Sequence, residues 1–307
     1  MKQIMVVAGP TASGKTGLAV RLAKQYNGEV ISADSIQIYK ELNIASAKPT
    51  VEEMQGVPHH MLDFVSPFDS FSVADYVKMA REIIDDITSR GRLPIIAGGT
   101  GLYISSLVDH IEFADAAPDV TVRERLFEAV KTQGTEALYD RLKSVDPEAA
   151  KNIHPNNTKR LVRALEIYET TGMTLTEQNE KSRQNPSPYD AFMLLLCPPR
   201  ELLYERINKR VDAMVEEGLF TEAKELRERG LTCEHQSMQG IGYKEVFAYL
   251  DGTMSREDCI TSIKTATRHY AKRQLTWFRR DARYHVVNPL DADAVESVME
   301  GFTWKKA

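Results

Sequence analysis

The chain has 307 residues, 42% of them hydrophobic, and a formal net charge of −5. That length can bury a sizeable core and allows about two domains, while the negative balance excludes a protein that coats nucleic acid indiscriminately. No apolar run approaches the roughly 20 residues that span a bilayer, residues 1–8 lack the layout of a signal peptide, and Cys197, Cys233 and Cys259 form no C-x-x-C pair, so a cytoplasmic protein with no membrane segment, disulfide framework or zinc finger is expected.

The first element is the apolar run 4–8. Gly9, Pro10, Thr11, Ala12, Ser13, Gly14, Lys15 and Thr16 follow it, and a helical pattern covers 17–26. The spacing G-x-x-x-x-G-K-T between a strand and a helix is the context of a phosphate-binding loop. Gly9 and Gly14 are expected at positive φ, so that successive N–H groups point at one anion. Lys15 adds a mobile charge and the helix start adds its dipole, while the Thr16 hydroxyl can reach a divalent cation or a phosphate oxygen. The ligand is a polyphosphate, either a nucleoside triphosphate or the diphosphate of something else.

Residues 29–33 read as a second buried strand ending at Asp34, with a short helical pattern through Ile38 and Tyr39 after it. Asp34 then lies on the same sheet edge as the phosphate loop, where a carboxylate can bind a metal or act as a general base; equally, it or Ser35 caps the short helix. Residues 60–65 read as a third strand, and Ser72 as the N-cap of a helix over 73–89 that Gly91 ends. Residues 93–97 form a further strand, and Gly98-Gly99-Thr100-Gly101 opens a helix over 102–108. Thr100 is either a ligand contact between close-approach glycines or the cap of a tight turn. This strand ends without the acidic residue that usually holds magnesium in P-loop NTPases, which leaves a kinase or another group transferase. Alternating strands and helices predict an α/β fold, a P-loop-type parallel sheet flanked by helices.

From about 115 to 185 strand signals vanish. Helical patterns at 120–132, 135–143, 147–152 and 157–170 predict an all-helical insertion domain, 115–185, within a core formed by 1–114 and 186–307. Lys159, Arg160 and Arg163 sit where a helix start would favour acids, which points to an external anion. Residues 191–197 restore strand character, and Pro198-Pro199 starts a helix to 216. On it Arg206 and Arg210 lie one turn apart, suited to a diphosphate clamp or to pairing with Glu205 or Glu217. Helical patterns at 219–229, 240–250 and 255–280 and a strand at 284–287 complete the chain. Residues 264–280 hold six Lys or Arg and no acid, so the remainder sums to −11. Lys264, Arg268 and Lys272 make one stripe with Tyr270, Trp277 and Phe278 interleaved, either a solvated face over core aromatics or a nucleic-acid footprint.

Taken together, these motifs resemble the bacterial tRNA dimethylallyltransferase family over nearly the whole chain. The carriers are GPTASGKT at 9–16, SADSIQIYK at 32–40, AKP at 47–49, SFSVADY at 70–76, GGTGLYISSL at 98–107, PDVTVR at 118–123, NNTKRLVRALE at 156–166 and QGIGYKE at 239–245. The eukaryotic relatives' C-terminal zinc finger is missing. The resemblance implies transfer of a dimethylallyl group from dimethylallyl diphosphate to N6 of adenosine 37 in the tRNA anticodon stem-loop, with Mg2+ held in part by Thr16. The loop 9–16 would hold the diphosphate; Lys15, Thr16 and Arg210 would neutralise it, Thr100 would bond its bridging oxygen, and Asp34 would take the N6 proton. Asp34, Ser35, Ile36 and Gln37, with Thr100, would meet the flipped adenine. Arg123 would fill its place in the loop, and Thr158, Lys159, Arg160, Leu161 and Val162 would grip the backbone. One subunit suffices for such a clamp. The rivals are an adenylate isopentenyltransferase of the cytokinin type, an ATP-dependent small-molecule kinase, and an RNA-binding protein with a vestigial loop.

Overall fold

A computed structural model describes residues 1–112, 119–182 and 184–305. Six strands form one sheet in the order β3-β2-β4-β1-β5-β6: β1 (Lys2–Ala8), β2 (Gly28–Ala33), β3 (His59–His60), β4 (Leu93–Gly98), β5 (Tyr189–Leu196) and β6 (Tyr284–Val287). Every pairing is parallel. The connecting helices of this part are α1 (Lys15–Tyr26), α2 (Val51–Met54), α3 (Val73–Ser89) and α4 (Gly101–Val108) before the insertion. The described helical elements at 120–181 are α5 (Val120–Val145), α6 (Pro147–Asn152), α7 (Thr158–Thr171) and α8 (Leu175–Lys181). After it come α9 (Arg200–Glu216), α10 (Leu219–Glu228), α11 (Tyr243–Leu250), α12 (Arg256–Phe278) and α13 (Ala292–Glu300).

Strands β1, β2, β4 and β5 are buried over most of their length because both of their faces are covered. On one side Met5, Val7, Val30, Ile95 and Leu194 pack against Ala19, Val20, Leu22 and Ala23 of α1 and against Val295, Met299 and Phe302 near the end of the chain. Alternate positions Ile4, Val6, Ile31 and Ile96, all fully buried, face the other way, as strand geometry requires. Helix α3 contacts β2 and β4, and it starts where its sequence says: Ser72 accepts from Asp75 N–H while Asp75 caps Ser72 in return, a capping box.

The described residues divide into two compact units, 1–108 with 188–307, and 109–187. The sequence-read boundary at 114/115 and the Pro118 of the 118–123 motif lie outside the described residues. The second unit is helical. Its core joins Leu126, Leu138 and Leu142 of α5 to Leu161, Val162 and Leu165 of α7. Asp146 caps α6 through Ala149 N–H and also holds the N–H and hydroxyl of Thr176, which fastens α8 to it.

Four local expectations change. No helix follows Asp34; the segment turns instead and rejoins the sheet through a single Tyr39–Val65 bridge. The 60–65 strand shrinks to His59–His60, since Met61 (φ 60°) and Asp63 (φ 57°) leave the extended region. The patterns at 120–132 and 135–143 form one element broken by Gly134, whose φ of 85° and ψ of 167° no helix admits. Helices α2, α8 and α13 were not expected; two of them begin at capping boxes, Thr50/Glu53 and Thr174/Glu177. Among the described residues no helix is long and apolar enough to cross a membrane.

Candidate active site

The phosphate loop, Asp34 and the Gly98–Gly101 turn follow β1, β2 and β4 respectively, so the parallel sheet brings all three to its carboxyl edge, where α/β proteins place their ligands. Thr11, Lys15, Thr16, Asp34 and Gly98 line a cavity of about 450 Å³ with residues of α9 and α12 and of the 236–244 segment.

In the loop, Gly14 takes φ 89° and Ala12, not Gly9, supplies the other left-handed residue at φ 61°. Gly9 is required for space instead: a Cβ there would lie 2.8 Å from Ser13 Oγ and 3.0 Å from the Leu196 carbonyl. Helix α1 opens with no side-chain cap, and the N–H groups of Gly14, Lys15 and Thr16 make no hydrogen bond within the described chain. These orphan donors converge with the helix dipole on one anion site. Lys15 Nζ donates to Pro10 O at 2.7 Å. Burial, and after it the Arg210 charge, lower the Lys15 pKa from 10.5 to about 8 against the opposing pull of Asp34. Arg210 reaches Thr11 Oγ1 and Ala47 O, both at 3.4 Å, and burial depresses its pKa too. Neither cation has a carboxylate partner at ion-pair distance among the described residues, so the α9 clamp falls to Arg210, while Glu205 pairs with Lys209.

Asp34 Oδ1 accepts from Ile36 N–H at 2.9 Å and Gln37 N–H at 3.3 Å, closing a turn. Oδ2 has no partner in the described chain, and Asp34 lines the cavity. One oxygen of the carboxylate thus closes the turn and the other is uncommitted. Ser35 N–H donates to Thr100 Oγ1 at 3.1 Å, which leaves the Thr100 proton available. The Gln37 amide is engaged internally, donating to Ser46 O and Ala47 O and accepting from Ser32.

Sequence reasoning missed how far α12 enters the site. Gln274, 5% exposed, accepts from Thr11 N–H and donates to Gly99 O, each at 2.9 Å. Tyr270 lines the same cavity, and burial raises its pKa. The legible signal was a polar Gln274 between buried Ala271 and Phe278 on the apolar helix face. Two cations of the basic stripe, by contrast, serve helix packing: Lys264 pairs with Asp212 at 2.5 Å and Arg268 donates to Asn208 Oδ1 at 2.8 Å.

In the helical unit, Arg123 holds the buried Glu166 carboxylate with Nη2 at 3.0 Å from both oxygens and Nε at 3.2 Å from Oε2, and Arg163 adds a further contact. Lys159 and Arg160 are exposed on the first turn of α7. Leu161 and Val162 are core residues at 0% and 1% exposure, so only their main chain can meet an outside ligand.

Fold and cavity define a phosphate-loop α/β protein whose loop and an uncommitted carboxylate line one cavity. The chain matches the IPP transferase family over residues 37–281. It is 48% identical over 299 residues to the tRNA dimethylallyltransferase of Halalkalibacterium halodurans, covering 97% of this chain and 95% of that one. The full-length tRNA isopentenylpyrophosphate transferase structure from Bacillus halodurans superposes with a TM-score of 0.72 at 46% identity, over 98% of this chain and 94% of that one. A eukaryotic dimethylallyltransferase acting on tRNA gives 0.82 at 32% identity, over 97% and 78%. The chain belongs to the IPP transferase family, the tRNA dimethylallyltransferases.

Proposed function

We propose that this protein transfers the dimethylallyl group of dimethylallyl diphosphate to N6 of adenosine 37 in the tRNA anticodon loop, releasing diphosphate. The observation that carries the reading is one cavity shared by a phosphate loop and a free carboxylate. Lys15, Thr16 and Arg210 line it next to the unpaired N–H groups of 14–16, and so does Asp34, whose Oδ2 is free and whose neighbour Ser35 bonds Thr100. In the transfer the C1–O bond of the donor breaks, the N6–C1 bond forms, and the N6 proton passes to Asp34 Oδ2 and on to solvent. The loop N–H groups, Lys15 and Arg210 neutralise the departing diphosphate. The Thr100 hydroxyl, its oxygen already accepting from Ser35, donates to the bridging oxygen. Val211, Met214 and Ile263 offer the allylic tail an apolar wall.

Mg2+ fits this site. The Thr16 hydroxyl has no partner within the described chain and lines the cavity, and a few protein oxygens suffice for an ion that takes most ligands from phosphate and water. Thr16 would hold it, and it would supply charge neutralisation on the diphosphate.

The target base is stacked in its loop, so it is flipped to reach Asp34. The segment 34–37 meets it, Arg123 replaces it, and Thr158 to Val162 contact the backbone through the exposed Lys159 and Arg160 and the main chain. The test is mass spectrometry of nucleosides from tRNA incubated with the protein, Mg2+ and dimethylallyl diphosphate. N6-isopentenyladenosine is expected; ADP formation from ATP with unaltered RNA would overturn the reading in favour of a kinase.

A further inference from the structure

We infer that Gln274 is a positioning residue that sets the phosphate loop against the Thr100 turn, and hence the donor carbon against the attacking amine; this rests on the reaction proposed above. Both of its hydrogen bonds go to main chain, Thr11 N–H on one loop and Gly99 O on the other. They fix the two backbones whatever side chains those loops carry. An unbranched amide is suited to the task, because Glu lacks the donor and Lys and Arg lack the acceptor. The surroundings are built around it. A Cβ at Gly99 would fall 2.1 Å from Gln274 Nε2 and 3.4 Å from Gly9 O, so the glycine turn exists in part to admit the amide. Tyr270, one turn earlier on α12, lines the same cavity as Gln274.

Its loss should show in turnover more than in stability, since small misplacement of reacting groups costs rate steeply. Gln274→Met keeps the length and removes both bonds; Gln274→Glu keeps only the acceptor. Steady-state kinetics with an anticodon stem-loop, calorimetry with inorganic diphosphate, and thermal unfolding are measured on each. In Gln274→Met we expect kcat to fall about tenfold or more, diphosphate affinity to weaken about threefold, and the melting midpoint to stay within a few degrees. Gln274→Glu should share the kcat loss, and it decides the matter if the methionine variant does not fold. Gly99→Ala, which pushes on the amide from the opposite loop, should lower kcat in the parent but not in a Gln274→Ala background. Parental kcat and parental diphosphate affinity, each within about twofold in a folded variant, would overturn the inference. Should the parent protein itself transfer nothing, the reaction proposed above fails, and diphosphate affinity alone then decides the role of Gln274.

Discussion

Because Asp34 Oδ1 already closes a turn with Ile36 and Gln37, replacing it with asparagine keeps that acceptor and removes only the proton acceptor at Oδ2. Asp34→Asn should therefore fold like the parent while transfer falls about 10²–10⁴-fold, the usual share of a general base. A loss under about tenfold at saturating RNA would contradict that role. Lys15 makes a second prediction, on pH. Its pKa in the fold is lowered to about 8, so above that pH the unliganded protein carries a neutral amine where an anion must bind. Affinity for inorganic diphosphate should decline as pH rises through 8, and Lys15→Arg should remove that inflection; calorimetry at several pH values reads both. The stability sign is the reverse. Between about 8 and 10.5 the unfolded chain holds the Lys15 proton and the fold does not, so the Lys15 contribution favours the unliganded fold as pH rises.

Helix α7 divides its first turns between solvent and core, and the two halves should fail differently. Lys159→Ala with Arg160→Ala removes exposed charge only; RNA affinity should weaken and the salt slope fall by about 1.5, as expected for two lost phosphate contacts. An unchanged slope would take α7 out of the RNA surface. Leu161→Ala instead opens a cavity among Leu126, Leu142 and Leu165 and should cost about 2–5 kcal/mol in the unfolding of the helical unit. This contrast also shows what the sequence can disclose. The 9–16 loop, Asp34 and the 98–101 turn were legible because backbone chemistry restricts which residues can stand at those strand ends. Ser72 was legible because a capping box is local. Leu161 and Val162 were grouped with the cations beside them because a linear motif does not say which way a helix faces. Gln274 was passed over for a related reason: its partners, Thr11 and Gly99, lie 263 and 175 residues away, and no local period encodes such a contact. Ala12 was missed because propensity rules assign left-handed backbone to glycine, and here an alanine takes it.

At the scale of the whole molecule, every residue lining the cavity belongs to the unit made of 1–108 and 188–307. The sheet of that unit is complete without the helical one: β1 is flanked by β4 and β5, and the β1–β5 ladder runs from Lys2 with Tyr189 to Ala8 with Leu195. Donor binding and RNA binding should therefore separate. A chain in which residues 109–187 are replaced by a flexible glycine-serine linker loses no lining residue and none of the strand pairings. It should bind inorganic diphosphate within about twofold of the parent, since a surface insertion costs little chain entropy to remove. Transfer to an anticodon stem-loop should fall at least about tenfold, because the exposed cations at 159 and 160 leave with the helical unit. Calorimetry with inorganic diphosphate and single-turnover transfer, run on the same preparation, read the two halves independently. Diphosphate binding lost from a folded shortened chain would mean that the helical unit completes the donor site. Transfer to the stem-loop at the parental rate would mean that RNA is recognised by the α/β unit alone, with α11 and α12 then the surfaces to probe.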